Sequence, residues 1–284
     1  MLFPSGVFCY NNPMKNILLT IEYDGTDFSG WQRQPGRRTV QGELERALSV
    51  ICRQEIVLQG ASRTDAGVHA FGQRASFSGE FGIPTEKIPV AANHLLAGEG
   101  PCSVGDVRIT KAEEVDLKFH PRFDAKGKKY IYRILNSQRP DIMQRNYRYQ
   151  IERPLDLDAM RMAASYLPGE QDFRSFMAAG GHEPESTVRT VYSVSWRQEL
   201  IASQKDDADI SFEIIGSGFL YNMVRIIAGT LADVGLGKIG ADQMKTIIEK
   251  RDRQYAGHTA PPQGLYLSQV YFNKEELYEN QRDV

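Results

Sequence analysis

One carboxylate, Asp65, stands in the run Gly60-Ala61-Ser62-Arg63-Thr64-Asp65-Ala66-Gly67-Val68-His69-Ala70, between an arginine–threonine pair and a small turn containing glycine. The apolar, β-type run Ile56-Val57-Leu58 comes just before it. A carboxylate on a turn at the end of a strand is held by a rigid element yet stays within reach of a substrate. When ionised it can act as a nucleophile. The plain alternative is a polar turn in which Asp65 bonds its own backbone.

A second residue with chemical potential is Arg225, alone among apolar neighbours in Gly218-Phe219-Leu220-Tyr221-Asn222-Met223-Val224-Arg225-Ile226-Ile227-Ala228-Gly229. A buried, unpaired guanidinium is prohibitively costly, so Arg225 needs an acidic partner. Glu213 and Asp233 are structural choices for that role. A third region is Lys128-Lys129-Tyr130-Ile131-Tyr132-Arg133, where cations and aromatics interleave. It belongs to a basic stretch, 118–153, with ten Lys and Arg against three acids. The stretch is net +7 in a chain of net −2, which leaves −9 elsewhere. Such asymmetry is the footprint of a polyanion site on an otherwise acidic body.

These residues need a scaffold, and the periodicity supplies one. Strands are expected at 15–23, 55–59, 73–78, 104–114, 128–136, 189–199, 209–216 and 264–272, and helices at 39–54, 84–96, 157–167, 221–234 and 242–250. In the first helix Val40, Leu44, Ala47, Leu48 and Ile51 share a face, with Thr39 and Glu43 as capping-type residues. Gly235 and Gly237 should close the fourth helix. Phe28 and Trp31 read as core. Strands and helices mixed without regular βαβ alternation give an α+β fold. The pattern partly recurs, so two similar halves are expected at 14–115 and 116–284, sharing a mainly antiparallel sheet with a central cleft. Residues 1–13 are expected to form a flexible extension, with Met14 as an alternative start.

Hydrophobic residues make up 41% of the chain, ordinary for a globular protein, and no apolar run approaches the ~20 residues of a membrane span. Three scattered cysteines (Cys9, Cys52, Cys102) form neither a disulfide framework nor a Cys-x-x-Cys pair, and the five histidines lack metal-ligand spacing. A reduced, cytoplasmic setting without a structural metal is the expectation.

The run Arg-Thr-Asp-Ala-Gly-Val-His-Ala resembles the catalytic motif of the TruA-type tRNA pseudouridine synthases. Tyr23-Asp24-Gly25-Thr26-Asp27-Phe28-Ser29-Gly30-Trp31-Gln32 is similar to that family's first-strand signature, and the segments around Tyr130, Arg225 and Gly264-Leu265-Tyr266-Leu267 fit it as well. The resemblance implies isomerisation of uridine to pseudouridine at positions 38, 39 and 40 of the tRNA anticodon stem-loop, with Asp65 as nucleophile on a flipped-out uridine. It further implies Tyr130 stacking on the uracil, Arg225 paired with Asp65, Arg63 filling the vacated stack and Leu267 lining the uracil pocket. Lys128 and Lys129 would hold substrate. The chemistry is an isomerisation that requires no cofactor, and family members are homodimers. Two other classes stay open on the residues: a tRNA-binding or RNA-chaperone protein with an idle Asp65, and an aspartate-nucleophile phosphatase built on Asp24. In the phosphatase pattern Asp-x-Asp-Gly-Thr, however, Glu22 occupies the place of the nucleophile.

Overall fold

The computed structural model describes residues 12–98, 104–180, 184–200 and 207–277. Most of the expected 1–13 extension and the cysteines Cys9 and Cys102 therefore lie outside the described residues. Ten strands form one sheet: β1 (Met14–Tyr23), β2 (Gln59–Gly60), β3 (His69–Glu80), β4 (Val107–Val115), β5 (Gly127–Asn136), β6 (Tyr149–Ile151), β7 (Gly169–Asp172), β8 (Val188–Leu200), β9 (Ala208–Gly216) and β10 (Leu265–Tyr271). Five helices accompany them: α1 (Val40–Cys52), α2 (Ile88–Leu96), α3 (Leu157–Ala164), α4 (Met223–Gly235) and α5 (Gln243–Lys250). The architecture is mixed α+β. The sheet runs β4-β1-β3-β10-β5-β9-β8-β7, with β2 beside β3 and β6 beside β5. Among the described residues only β10–β3 and β5–β6 pair in parallel. No helix among the described residues is long and apolar enough to cross a membrane.

The last strand in the chain is the seam of the sheet. In β10, Leu267 lies opposite Tyr130 of β5 on one side and beside Ala70 of β3 on the other. Residues from three distant parts of the chain thus meet at one point.

The local elements follow from their side chains. Helix α1 starts where the Thr39 hydroxyl accepts the Gly42 N–H at 3.3 Å, and it buries Val40, Leu44, Ala47 and Leu48 completely. Glu43 pairs with Arg46 on the helix surface instead of capping. Helix α4 ends in a Schellman arrangement, with Gly237 at φ +72°, its N–H on the Val234 carbonyl and the Lys238 N–H on the Asp233 carbonyl. Phe28 and Trp31 are core residues, each 3% exposed.

Three expectations need correction. The strand at 55–59 shrinks to Gln59–Gly60. Its backbone donors are taken by α1 side chains: Ile56 N–H goes to the Ser49 hydroxyl and Leu58 N–H to the buried Glu45 carboxylate. Those bonds replace a ladder partner, and Val57 is left exposed. Helix α4 begins two residues later than expected, because Asn222 takes a left-handed φ of 59°. Strands β6 and β7, of three and four residues, are too short to carry a readable alternation and were absent from the expected set.

Candidate active site

The loop 61–68 joins β2 to β3, and its shape is set by a turn. Val68 N–H bonds the Asp65 carbonyl, and Gly67 sits at φ +78° in the third position of that turn. A type II turn needs such a φ there, which glycine adopts without strain. The neighbouring side chains lock the loop from beneath. Thr64 hydrogen-bonds the Tyr23 hydroxyl at 2.7 Å, and its carbonyl accepts the Trp31 N–H. A Cβ on Gly25 would lie 2.0 Å from the Val68 carbonyl oxygen, so the Asp24–Gln32 segment can approach the loop only through glycine. Gly67→Ala is expected to destabilise the protein by about 1–2 kcal/mol, read as a lowered thermal midpoint. An unchanged midpoint would show that the turn can adopt another shape.

Arg225 reaches this loop from α4, 160 residues away in the chain. Its Nη1 donates to the Asp65 carboxylate at 2.9 Å and to the Asn222 side-chain oxygen at 2.7 Å, and its Nε donates to the Ala260 carbonyl at 2.9 Å. The Arg225 and Asp65 side chains are 15% and 28% exposed, so the pair is shielded but open on the Asp65 side. Arg225 is the third residue of α4, where the positive end of the helix dipole disfavours a cation. Three acceptors offset that cost. The structural alternatives are occupied otherwise: Glu213 pairs with Lys129, and Asp233 binds Lys238 and His258.

Tyr130 faces the same point. It is 5% exposed, its hydroxyl is 2.9 Å from the Ser62 hydroxyl, and its ring meets Phe219 edge-on at 5.1 Å. Burial, opposed in part by the Ser62 hydrogen bond and helped by the Asp65 charge, pushes the Tyr130 phenol up to about 12. Leu267, fully buried, lies across from it. Lys128 is two residues before Tyr130 on the same strand face and donates to the Ala61 carbonyl at 2.8 Å. Arg63 is exposed on the loop and has no hydrogen bond or ion pair among the described residues.

Lys129 is the candidate that stays apart. Strand alternation turns it to the opposite face of β5, where Glu213 holds it. The basic stretch divides in the same way: Arg133 stacks over Phe71 and Tyr266, and Arg148 pairs with Asp209. Cations that are neighbours in sequence therefore serve two faces.

Several residues that support the site carried no separate weight in the sequence. Ser62 was legible only as part of the motif, and Asn222 only as a cap-type residue ahead of an apolar run. His69 was legible only as a member of the same motif, with no role of its own. It is 2% exposed, its Nδ1 accepts the Gly25 N–H at 3.1 Å and its Nε2 lies 2.9 Å from the Asn146 carbonyl. These partners assign the neutral tautomer protonated at Nε2, so the contact with the Asp24 carboxylate, 3.2 Å from Nδ1, is not an ion pair. Tyr147 completes the knot, donating to Asp24 at 2.6 Å.

Desolvation holds the His69 pKa below its ordinary value, against the opposing Asp24 charge and carbonyl contacts. The unfolded chain therefore takes up this proton first as pH falls. Stability should decline as pH drops below about 6.5 and level off only beneath the folded pKa. A His69→Gln variant, compared with the parent by thermal unfolding between pH 7 and 5, should lose less over that range. An equal loss in both proteins would mean that His69 is not the group responsible.

The family profile described as tRNA pseudouridine synthase matches residues 19–124 and 163–273. The chain belongs to the tRNA pseudouridine synthase family. It is 46% identical over 259 residues to a protein of Acetivibrio thermocellus named tRNA pseudouridine synthase A, covering 91% of this chain and all of that one. A protein of the same name from Bacillus subtilis is 45% identical over 256 residues, covering 89% of this chain and 98% of that one. Another from Ruminiclostridium cellulolyticum is 46% identical over 259 residues, with 91% and 100% covered. The two matched blocks of the profile leave out 125–162, where Lys128, Lys129 and Tyr130 lie.

Proposed function

We propose that this protein isomerises uridine to pseudouridine in the anticodon stem-loop of tRNA, at positions 38, 39 and 40, with Asp65 as the nucleophile. The observation that carries the assignment is the Arg225–Asp65 contact of 2.9 Å. It holds one carboxylate oxygen and leaves the other without a hydrogen-bond partner among the described residues. The relatives named tRNA pseudouridine synthase A support the substrate class.

In the reaction the N1–C1′ bond breaks, the uracil turns and C5 joins C1′, with the C5 proton lost and N1 protonated. Asp65 adds to C6 of the base or attacks C1′; its position at the loop tip serves either route. The target nucleotide must leave its stack, at a cost of a few kcal/mol. Arg63, exposed and two residues from Asp65, fills the space it leaves. Tyr130 covers the base, a contact worth roughly 1–3 kcal/mol, and Leu267 forms the apolar wall beside it. Room for a base at so buried a ring comes from movement of Phe219, its edge-on neighbour in the loop before α4. With its pKa raised to about 12, Tyr130 stays a neutral phenol near neutral pH. Its oxygen can take the C5 proton only as its own proton leaves through the Ser62 hydroxyl, 2.9 Å away, which in turn passes its own proton out to solvent. Lys128 contributes a cation on the same face, and Lys129 holds RNA only if it leaves Glu213.

The division at 14–115 and 116–284 fits the order of the sheet, with β4, β1 and β3 on one side of β10 and β5, β9, β8 and β7 on the other. The site lies at that seam, as a cleft between two similar halves would place it. The same reading makes the enzyme a cytoplasmic homodimer, which sedimentation with and without tRNA would test. The deciding assay of function is tritium release from tRNA labelled at uracil C5, without added metal or cofactor. Release from the anticodon stem-loop is expected; intact binding without release would overturn the assignment.

A further inference from the structure

Near Tyr130 lies Lys128, and the charges of two cations from other segments, Arg122 and Arg189, act on it. Lys128 comes from β5, Arg122 from the turn before it and Arg189 from the first residues of β8. The sheet register brings the first and last together: Lys128 lies opposite Gly216 of β9, and Gly216 lies opposite Val191, two residues beyond Arg189. Between them the backbone runs through Gly216 and Gly218; the Phe219 ring covers Gly216, its Cζ 3.1 Å from where a Cβ would sit, whereas Gly218 has only Arg189 beside it. A Cβ on Gly218 would come no closer than 3.8 Å to the Arg189 guanidinium. Arg189 folds back over its own strand, donating to the Ser186 carbonyl at 2.8 Å and to the Val188 carbonyl at 2.6 Å.

No carboxylate answers this charge. Among the described residues Lys128, Arg122 and Arg189 have no ion pair, although the chain as a whole carries more acids than bases. Desolvation, with the charges of Arg122 and Arg189, presses the Lys128 ammonium down to about 8. A half-buried cation beside two guanidinium groups, without an acid, is an arrangement that an incoming anion would stabilise. At Gly218, where a Cβ would have only Arg189 within 4 Å, glycine lets such an anion approach the backbone closely. Lys128 and Tyr130 are two residues apart on one strand face, about 7 Å, so an anion held here sits next to whatever the tyrosine covers.

We propose that Lys128, Arg122 and Arg189 form a site for one phosphodiester of the RNA backbone, the one adjoining the nucleotide covered by Tyr130. This rests on the synthase assignment and extends it, since Arg189 lies outside the basic stretch at 118–153. The site fixes the backbone beside the flipped nucleotide, so the base enters in one orientation. Phosphate contacts position without reading sequence, which suits an enzyme that accepts more than one uridine.

The test is binding of anticodon stem-loop RNAs, each carrying a single uncharged methylphosphonate linkage, to the full-length protein and its variants, read by fluorescence anisotropy. One linkage near the target uridine should weaken wild-type binding about tenfold when neutralised. The same RNA should cost Arg189→Gln or Arg122→Gln clearly less than the roughly tenfold it costs the wild type, because part of the contact is already lost. Each substitution should also lower the slope of log K against log salt by about 0.7. Lys128→Gln should behave alike and Lys128→Arg should restore binding. Lys128 also holds the Ala61 carbonyl, so the two arginine variants decide the matter if Lys128→Gln unfolds. Equal losses at every linkage in all proteins, or wild-type affinity and salt slope in Arg189→Gln, would overturn the site. The readout needs no turnover: a protein that binds in this pattern but releases no tritium would overturn the synthase assignment and leave the phosphate site standing.

Discussion

Asp65→Asn is expected to reduce tritium release from C5-labelled tRNA by about four orders of magnitude or more, with tRNA affinity changed only a few-fold. The substitution keeps the size and planarity of the side chain, and an amide oxygen can still accept from Arg225. What it removes is the negative charge and the nucleophilic oxygen. The loop should hold its shape, because the turn from Asp65 to Val68 is closed by backbone atoms and the Thr64 contacts involve its neighbour. Binding and unfolding measured beside release separate the outcomes. Near-normal release by the variant would remove Asp65 from the chemistry. Lost release together with a collapsed thermal midpoint would assign Asp65 to folding instead.

The second large effect is expected at Arg225. Replacement by methionine keeps the aliphatic stem but removes donors to Asp65, Asn222 and Ala260. It should lower kcat by roughly 10²-fold or more, the scale of loss from misplacing a reacting group by about 1 Å, while KM changes little. Arg225→Lys should rescue only part, since one ammonium cannot reproduce the guanidinium fork that addresses three acceptors. Asp65 and Arg225 touch, so their effects should not add: in an Asp65→Asn background, Arg225→Met should cost little further activity. Normal turnover by Arg225→Met would show that the ion pair is structural only. A fall in thermal midpoint without a fall in kcat would lead to the same conclusion.

The residues that define the site were legible because chemistry forces unusual residues into unusual places. A carboxylate in a glycine turn is common, and Asp65 stood out through the length of the run Arg63 to Ala70; the lone arginine in an apolar run is improbable as packing and demands such a carboxylate. The sequence left the partner of Arg225 open among Glu213, Asp233 and Asp65. The sheet resolved it by giving Glu213 to Lys129 and Asp233 to Lys238 and His258. Local periodicity placed α1 and most long strands, since a face that must be buried repeats along the chain. It failed at 55–59, where an apolar run of strand type spends its backbone donors on Ser49 and Glu45 of a preceding helix. That choice depends on tertiary distance and has no signature in the run itself.

The sequence by itself determined the identities that carry charge, the turn that holds Asp65 and the segments able to form elements. All of these depend on residue type or on neighbours a few positions apart. Only the tertiary structure decided which side chains meet. It brought Arg225 across 160 positions to Asp65, set β10 as the seam between β3 and β5, and sent Lys128 and Lys129 to opposite faces. The physical reason is that such meetings are fixed by sheet register and strand alternation. A one-residue change in either would move every side chain of a strand to the other face without altering its composition.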